Sequence, residues 1–415
     1  MRELLRRNST EERHIPKSLY LLHAPCAFAF PALKALQAFV GDCRGILLPL
    51  AAVWLLAACG PPAPWRQESY VFGTRVELLI AGVPEARAQA AANRVLQDFD
   101  RLHRTYHAWQ PSELSALNAA IAAGRPREVT AEFAAFISEA QGVAAAADHL
   151  FDPGIGRLIA LWGFHTDDIQ PRLPDAAAVK ALLGPHPSIA DLSVIPGSCP
   201  EPRRGETASP ASIEGRAGGS CVTSRSKSVA IDFGGYLKGV ALDRAATMLR
   251  QDGVANALIN IGGNVMALGT RDGQVGGASW RVAIQHPRPQ GVGGAPLASL
   301  QLKGGEAIGT SGDYHRYFEL AGRRYCHLLD PRTGVPADGT QAVTILIAPG
   351  PAAGMRSDAL SKPIFIAGRD WRTMASKLGV DAVLRVGADG RVSATPAMRA
   401  RLKIEVPDLK LEVPE

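Results

Sequence analysis

Tyr325-Cys326-His327-Leu328-Leu329-Asp330-Pro331-Arg332-Thr333-Gly334 is a short strand that runs into a tight turn. Proline presets the backbone at a turn's second position and a nearby glycine accepts positive φ, so Asp330-Pro331 opens a rigid corner that Gly334 can complete. His327 stands just before that corner. An imidazole held on such a backbone can shuttle a proton near neutral pH.

Outward from this corner, the chain mixes helix and strand periods. Tyr70 to Ile80 alternates as a strand, and Pro84 to Tyr106 places Ala91, Val95, Phe99 and Leu102 on one helical stripe. Ser112 caps a short helix to Ile121 with Ser115 in its first turn, and Thr130 caps a third to Ala147. Ser228 to Asp232 is a buried strand, and Tyr236 to Arg250 a helix. Short strands with Gly-rich turns follow from Ala257 to about Ile347. Helices over Met355–Phe365 and Asp370–Leu378 and a hairpin at Ala382–Ala394 around Asp389-Gly390 complete the pattern. The class is α+β, with mixed and antiparallel sheets flanked by helices rather than regular βαβ alternation. Residues 196–228, poor in apolar side chains and rich in Pro, Gly, Ser and Arg, are expected to be a disordered insertion.

Apolar residues make up 47% of the 415 but aromatics only 6%, so the core is built largely from small aliphatics. Of the net charge of +6, half falls in residues 1–58. No basic stripe with interleaved aromatics occurs, which argues against a nucleic-acid partner. Ile46 to Leu56 is an apolar run of signal-peptide length behind Arg44. Leu56-Ala57-Ala58-Cys59-Gly60 resembles a bacterial lipobox with Cys59 as the lipidated residue, the alternative being an ordinary signal peptide that contains a cysteine. On the first reading 1–58 is an export segment, 59–67 a tether, 68–403 the folded domain and 404–415 a tail. The protein would then be lipid-anchored on the periplasmic face, with the outer membrane as default because Gly60, not Asp, follows the cysteine. The stretch 1–43 is long for such a leader and holds a second apolar patch from Leu19 to Phe39, as a mis-assigned start would produce. Export implies an oxidising compartment. Cys199 and Cys221 could there close a loop worth about 3 kcal/mol, or remain free thiols. No CxxC or Cys/His spacing suits a structural zinc.

Four further segments carry groups suited to chemistry, each with a plainer reading. Asp232-Phe233-Gly234-Gly235-Tyr236-Leu237-Lys238-Gly239 lies between strand and helix, where a helix N-terminus and Lys238 attract phosphate, but a tight structural turn explains it as well. Ile259-Asn260-Ile261-Gly262-Gly263-Asn264-Val265 is a hairpin or bulge, or a bare ligand wall. His149-Leu150-Phe151-Asp152-Pro153-Gly154 with Leu161-Trp162-Gly163-Phe164 is an aromatic-packed helix end or a bracket for a ring system. Asp358 and Lys362 share a helix face, as a surface ion pair worth roughly 0.3–0.5 kcal/mol or as a cation site.

Their order along the chain is more specific than any one of them. Phe72-Gly73-Thr74, Trp109 with Ser112-Glu113-Leu114-Ser115 and Asn118, Phe151-Asp152-Pro153, Asp232 to Gly239, Asn260 to Asn264, Thr310-Ser311-Gly312-Asp313-Tyr314, His327 with Asp330 to Gly334, and Asp358-Ala359-Leu360 together resemble the ApbE family of FAD:protein FMN transferases, from about residue 68 to 385. The resemblance implies a T-fold-related α+β architecture and an enzyme that takes FAD as substrate, releases AMP and esterifies FMN to a Thr or Ser of a target. The target would be an exported flavoprotein or a subunit of a membrane redox complex. It implies His327 as catalytic residue and Phe72, Trp109, Leu150, Phe151, Asp152, Asp232, Lys238 and Leu328 as FAD contacts. It also implies Mg²⁺ held by Gly235, Asp358 and Ser361 and by a Thr whose place Lys362 takes.

A protonated Lys has no lone pair and cannot ligate a metal. Three arrangements stay open: Lys362 occupies the metal's place, the metal and turnover are weakened, or Lys362 turns outward while water replaces the ligand. Two other functions stay open beside the transferase, an FAD pyrophosphatase yielding FMN and AMP and a non-catalytic periplasmic flavin-binding lipoprotein.

Overall fold

The computed structural model describes residues 63–200, 219–288 and 294–413. The expected export segment, Cys59 and the start of the tether lie outside the described residues. The strands are β1 (Trp65–Val71), β2 (Thr74–Ala81), β3 (Arg127–Val129), β4 (Leu192–Pro196), β5 (Ser220–Ser224), β6 (Asn256–Ile261), β7 (Asn264–Leu268), β8 (Trp280–Ile284), β9 (Ala298–Leu302) and β10 (Ala307–Gly312). They continue as β11 (Tyr317–Leu320), β12 (Arg323–Cys326), β13 (Leu329–Asp330), β14 (Val335–Pro336), β15 (Thr340–Ile347), β16 (Ala382–Gly387), β17 (Val392–Ala394), β18 (Leu402–Ile404) and β19 (Leu411–Glu412). The helices are α1 (Glu85–Thr105), α2 (Glu113–Ala123), α3 (Ala131–Ala146), α4 (Gly156–Leu161), α5 (Ala176–Leu183), α6 (Leu237–Gln251), α7 (Ala353–Ile366), α8 (Trp371–Lys377) and α9 (Pro396–Arg399).

A nine-stranded sheet in the order β1-β2-β6-β7-β10-β15-β16-β17-β19 organises the domain. Every pair in it is antiparallel except β17-β19. Successive side chains of a strand point to opposite faces. One face accordingly sends Val76, Leu78, Ile80, Ile259, Ile261, Val343 and Ile345 into a core shared with the helices. The other sends Ala81, Val265, Ala267, Ala342 and Leu346 against the small sheet β18-β9-β8. The α+β expectation therefore holds, with the sheet buried on both sides. Among the described residues no helix is long and apolar enough to cross a membrane.

Helix α1 buries Ala88, Ala91, Ala92, Val95, Phe99 and Leu102 along one stripe, which is why its span was legible. Helix α2 starts in a capping box between Ser112 and Ser115, and Thr130 caps α3. Five expectations need correction. The tail expected over 404–415 supplies β19, which pairs with β17 at the edge of the main sheet, and the strand expected over Ser228–Asp232 is only a single bridge between Ala230 and Ile155. The single strand expected over Tyr70–Ile80 is a hairpin, turned at Phe72 and Gly73, whose φ values of 57° and 68° match the two-residue loop that antiparallel strands prefer. Residues 65–67, expected to be part of a tether, belong to β1, which begins at Trp65. The insertion expected over 196–228 includes β5, which pairs with both β3 and β4; residues 201–218 lie outside the described residues.

Cys199 and Cys221 are joined as a disulfide 22 residues apart, and Cys221 is buried in β5. A loop of that length corresponds to about 3 kcal/mol in the chain-entropy picture. Cys221→Ser should lower the unfolding free energy from urea titration by about that amount, with a steeper slope because the unfolded chain is less constrained, and dithiothreitol should do the same to the unaltered protein.

Candidate flavin-nucleotide site

Helix α7 is the centre of the site. Of its 14 residues only Arg356 and Lys362 escape full burial. A helix buried all round is ordinarily apolar, yet this one buries Ser357, Asp358 and Ser361. Glycine makes the burial possible. A Cβ on Gly309 of β10 would lie 2.0 Å from the Ser357 carbonyl oxygen, so α7 rests directly on the sheet backbone. Between the helices, a Cβ on Gly239 would meet the Gly354 carbonyl at 2.5 Å and Asp358 Cβ at 2.8 Å. Gly239→Ala should therefore cost about 1–3 kcal/mol, measured by thermal melting.

The two helices cap each other. Asp243 of α6 accepts from the backbone N–H of Gly354 (2.8 Å) and Met355 (2.7 Å) at the start of α7. Asp358 of α7 accepts from the N–H of Gly239 (3.0 Å) in the first turn of α6. Carboxylates suit such positions because the first N–H groups of a helix have no internal partner. Burial raises the Asp243 carboxyl above its ordinary range despite these two bonds.

Asp358 is fully buried and heavily engaged. Its Oδ1 accepts from Lys362 Nζ (2.7 Å) and Asn264 Nδ2 (3.0 Å), with Lys238 Nζ at 3.6 Å. Lys362 Nζ also donates to the Asp358 carbonyl (2.8 Å). The pair is thus no surface salt bridge: the side chains are 1% and 13% exposed. Burial alone would raise the Asp358 carboxyl, but Lys238 and Lys362 overrule it and hold the group below the usual carboxylate range. Burial pushes the Lys362 ammonium down, and Asp358 opposes that.

The loop 232–238 is a tight turn at a helix start. Gly234 N–H donates to Asp232 Oδ1 (2.7 Å), and Lys238 Nζ returns to the Gly234 carbonyl (2.9 Å). Asn118 clasps the preceding residue, donating to the Ile231 carbonyl (2.9 Å) and accepting from its N–H (2.7 Å). Burial raises Asp232, while Gly234, the Trp109 side chain and the charges of Arg316 and His107 pull it back, so Trp109 and Asp232 share one environment. Gly235 lies under the stem of Lys362: a Cβ there would meet Lys362 Cε at 2.8 Å and Phe151 at 3.5 Å. Leu150, Phe151 and Leu328 are buried.

His327 is partly buried beyond the end of β12. Its backbone N–H and its Nδ1 both bond the Arg316 carbonyl, at 3.0 and 3.1 Å. A carbonyl only accepts, so Nδ1 carries the proton and Nε2 keeps its lone pair. Burial pushes the imidazole down to about 3; the Arg316 carbonyl resists, and the charges of Arg316, Lys362 and Lys238 add to the fall. The corner is rigid as expected: Gly334 has φ 70°, its carbonyl accepts from Trp162 Nε1 (2.7 Å), and Asp330 holds Arg332.

Not every expected residue faces this cluster. Asp152 is turned into the protein, accepting from Gly154 and Ile189 N–H (2.8 Å each), Ser188 Oγ (2.5 Å) and His149 (3.0 Å). Phe72 packs on Phe99 and His103. Ser361 is tied to Ser311 Oγ and the Asp358 carbonyl, both at 2.8 Å. Gly262-Gly263 is a hairpin turn between β6 and β7, with Gly263 N–H on Asn260 Oδ1 (3.0 Å). Asp243 and Arg316 were missed, since neither stands in a motif.

Divalent-metal ligation does not fit these residues. Asp358 Oδ1 already meets Lys362, Asn264 and Lys238, its Oδ2 meets a backbone N–H, and a lysine stands where a ligating hydroxyl is expected. Among the described residues no group of three or more His, Cys, Asp or Glu is placed to hold a metal ion.

Paired ammonium groups at a glycine-lined helix start, whose charge reaches His327, suit an anionic group such as a phosphate. The chain belongs to the ApbE family, whose sequence model matches residues 72–384. It is 39% identical over 344 residues to the FAD:protein FMN transferase of Rhodobacter capsulatus, covering 82% of this chain and 59% of that protein's length. It is 28% identical to the transferase of Salmonella typhimurium, over 74% of this chain and 82% of that one. The ApbE protein of Thermotoga maritima superposes with a TM-score of 0.66 at 28% identity, covering 81% of this chain and 99% of its own. The flavin transferase ApbE of Vibrio cholerae, at 22% identity and a TM-score of 0.64 over 82% of this chain and 100% of its own, shares the fold.

Proposed function

We propose that this protein is an FAD:protein FMN transferase. The observation that carries the reading is the pairing of Lys238 and Lys362 at one glycine-lined helix start, with their charge felt by a Nε2-unprotonated His327. Trp109, Leu150, Phe151 and Leu328 frame the flavin, and the pyrophosphate meets the loop 232–238. The hydroxyl oxygen of a target Thr or Ser attacks the phosphorus on the FMN side. Its proton passes to His327 Nε2, the bond from that phosphorus to the bridging oxygen breaks, and AMP leaves with that oxygen. The two lysines neutralise charge that grows on the phosphoryl oxygens, where fixed charge contributes most.

Lipid anchoring through Cys59 on the periplasmic side belongs to the same reading. It is supported by the lipobox-like Leu56 to Gly60 and by the Cys199–Cys221 disulfide, which suits an oxidising compartment. The acceptor is then an exported or membrane-bound flavoprotein. Incubation with FAD and a Thr-containing acceptor, followed by measurement of free AMP and acceptor mass, tests the chemistry. AMP together with a labelled acceptor is expected. AMP with an unlabelled acceptor would instead mean hydrolysis, and neither product would mean a flavin-binding protein.

A further inference from the structure

We propose that Lys362 replaces the divalent metal, so that its ammonium is a resident cation and FMN transfer proceeds with no metal ion. This rests on the transferase reading. Of the three residues that would otherwise gather a metal, two hold Lys362 instead and the third is engaged elsewhere. Asp358 takes its ammonium through Oδ1 (2.7 Å) and through its backbone carbonyl (2.8 Å). Gly235 lies against its Cδ and Cε, with only 2.9 and 2.8 Å left for a Cβ. Ser361, the next residue back, spends its hydroxyl proton on the Asp358 carbonyl and meets Ser311.

The arrangement is built rather than incidental. An exposed lysine would move freely, but this one is 13% exposed, with its stem on Gly235 and its head on a fully buried carboxylate. Asn264 Nδ2 bonds the same Oδ1 and the Gly239 N–H bonds Oδ2, so both carboxylate oxygens are held. Lys238 brings a second ammonium within 3.6 Å of the same oxygen. Two ammonium groups facing one carboxylate leave net positive charge beside the helix start, where a pyrophosphate carries its negative charge. A lysine acts there as a point charge and needs no vacant coordination position. The bonds made and broken are those of the transfer already described, and no co-reactant is added.

The test has two arms, both on the full-length protein after passage over a chelating resin. In the first, FMN transfer from FAD to a Thr-containing acceptor is followed by acceptor mass with EDTA or with Mg²⁺. The rate is expected to be the same in both. Lys362→Thr should fall by about 10²-fold in EDTA, as when one electrostatic donor is removed, and recover in Mg²⁺. In the second arm, Mn²⁺ binding to the FAD-saturated protein is read by electron paramagnetic resonance. The unaltered protein should show no site, and Lys362→Thr should acquire one that Asp358→Asn abolishes. Transfer by the unaltered protein that stops in EDTA and returns with Mg²⁺ would overturn the proposal, as would an Asp358-dependent Mn²⁺ site in that protein. Absence of transfer in every condition would count against the transferase reading alone, and the Mn²⁺ arm would still decide the cation.

Discussion

On the proposed function, His327→Ala is expected to retain FAD binding and to lose FMN transfer by about 10²–10⁴-fold, the usual worth of a positioned general base. The Arg316 carbonyl fixes Nδ1 as the protonated nitrogen and leaves Nε2 with a free lone pair. Stopped assays on the variant, with flavin titration as the control, read the two effects separately. The pH profile adds a second readout. The free-enzyme imidazole is pushed down to about 3, so the acid limb of kcat/KM should lie far below the ordinary histidine value. Linkage has the matching sign. Between the folded pKa and the unfolded value of about 6.5 the unfolded chain binds the extra proton, so this group's contribution to stability is lost as pH falls through that window. An acid limb near pH 6.5 that disappears in His327→Ala would contradict the assigned environment.

Lys362→Met should destabilise the domain by about 3 kcal/mol, because removing one partner leaves a buried carboxylate without its nearest cation. Lys238 at 3.6 Å and Asn264 soften the loss, which places it at the lower end of the range for broken buried pairs. The double variant Asp358→Asn/Lys362→Met should recover much of it, since no buried charge then remains uncompensated. The pH dependence follows the carboxylate. Its folded pKa is depressed, so its contribution is present above the unfolded value of about 3.9 and is lost as pH falls through the folded one. Lys362 works the other way. Its ammonium is pushed down, so at neutral pH its burial opposes folding, and only the pairing with Asp358 offsets that. Urea midpoints for the two single variants and the double variant close the cycle. A single-variant loss within error of zero would show that the pair is not the buried unit described.

The helices were readable because their evidence is local. The stripe of α1, the Ser112 box and the Thr130 cap are each contained in one turn or one face. The β1–β2 hairpin was missed because Phe72-Gly73 lacks the Asn or Asp that usually marks a two-residue turn, and Phe72 adopts positive φ without being glycine. Strand β5 was hidden inside a run of Ser, Cys and Arg whose pairing partners lie far off in β3 and β4. At the site, motif order identified His327, Lys238, Asp358 and Lys362. It could not reveal that Asp243 and Asp358 cap each other's helices, or that Asp152 faces inward, because both depend on contacts distant in sequence.

The proposed reaction is transfer of FMN from FAD to a protein hydroxyl. Intact mass spectrometry of a Thr-containing acceptor, after incubation with this protein and FAD, tests it most directly. One added FMN per acceptor, one AMP released for each, and no addition when the acceptor Thr is replaced by Ala are expected. An acceptor of unchanged mass while AMP accumulates would contradict it.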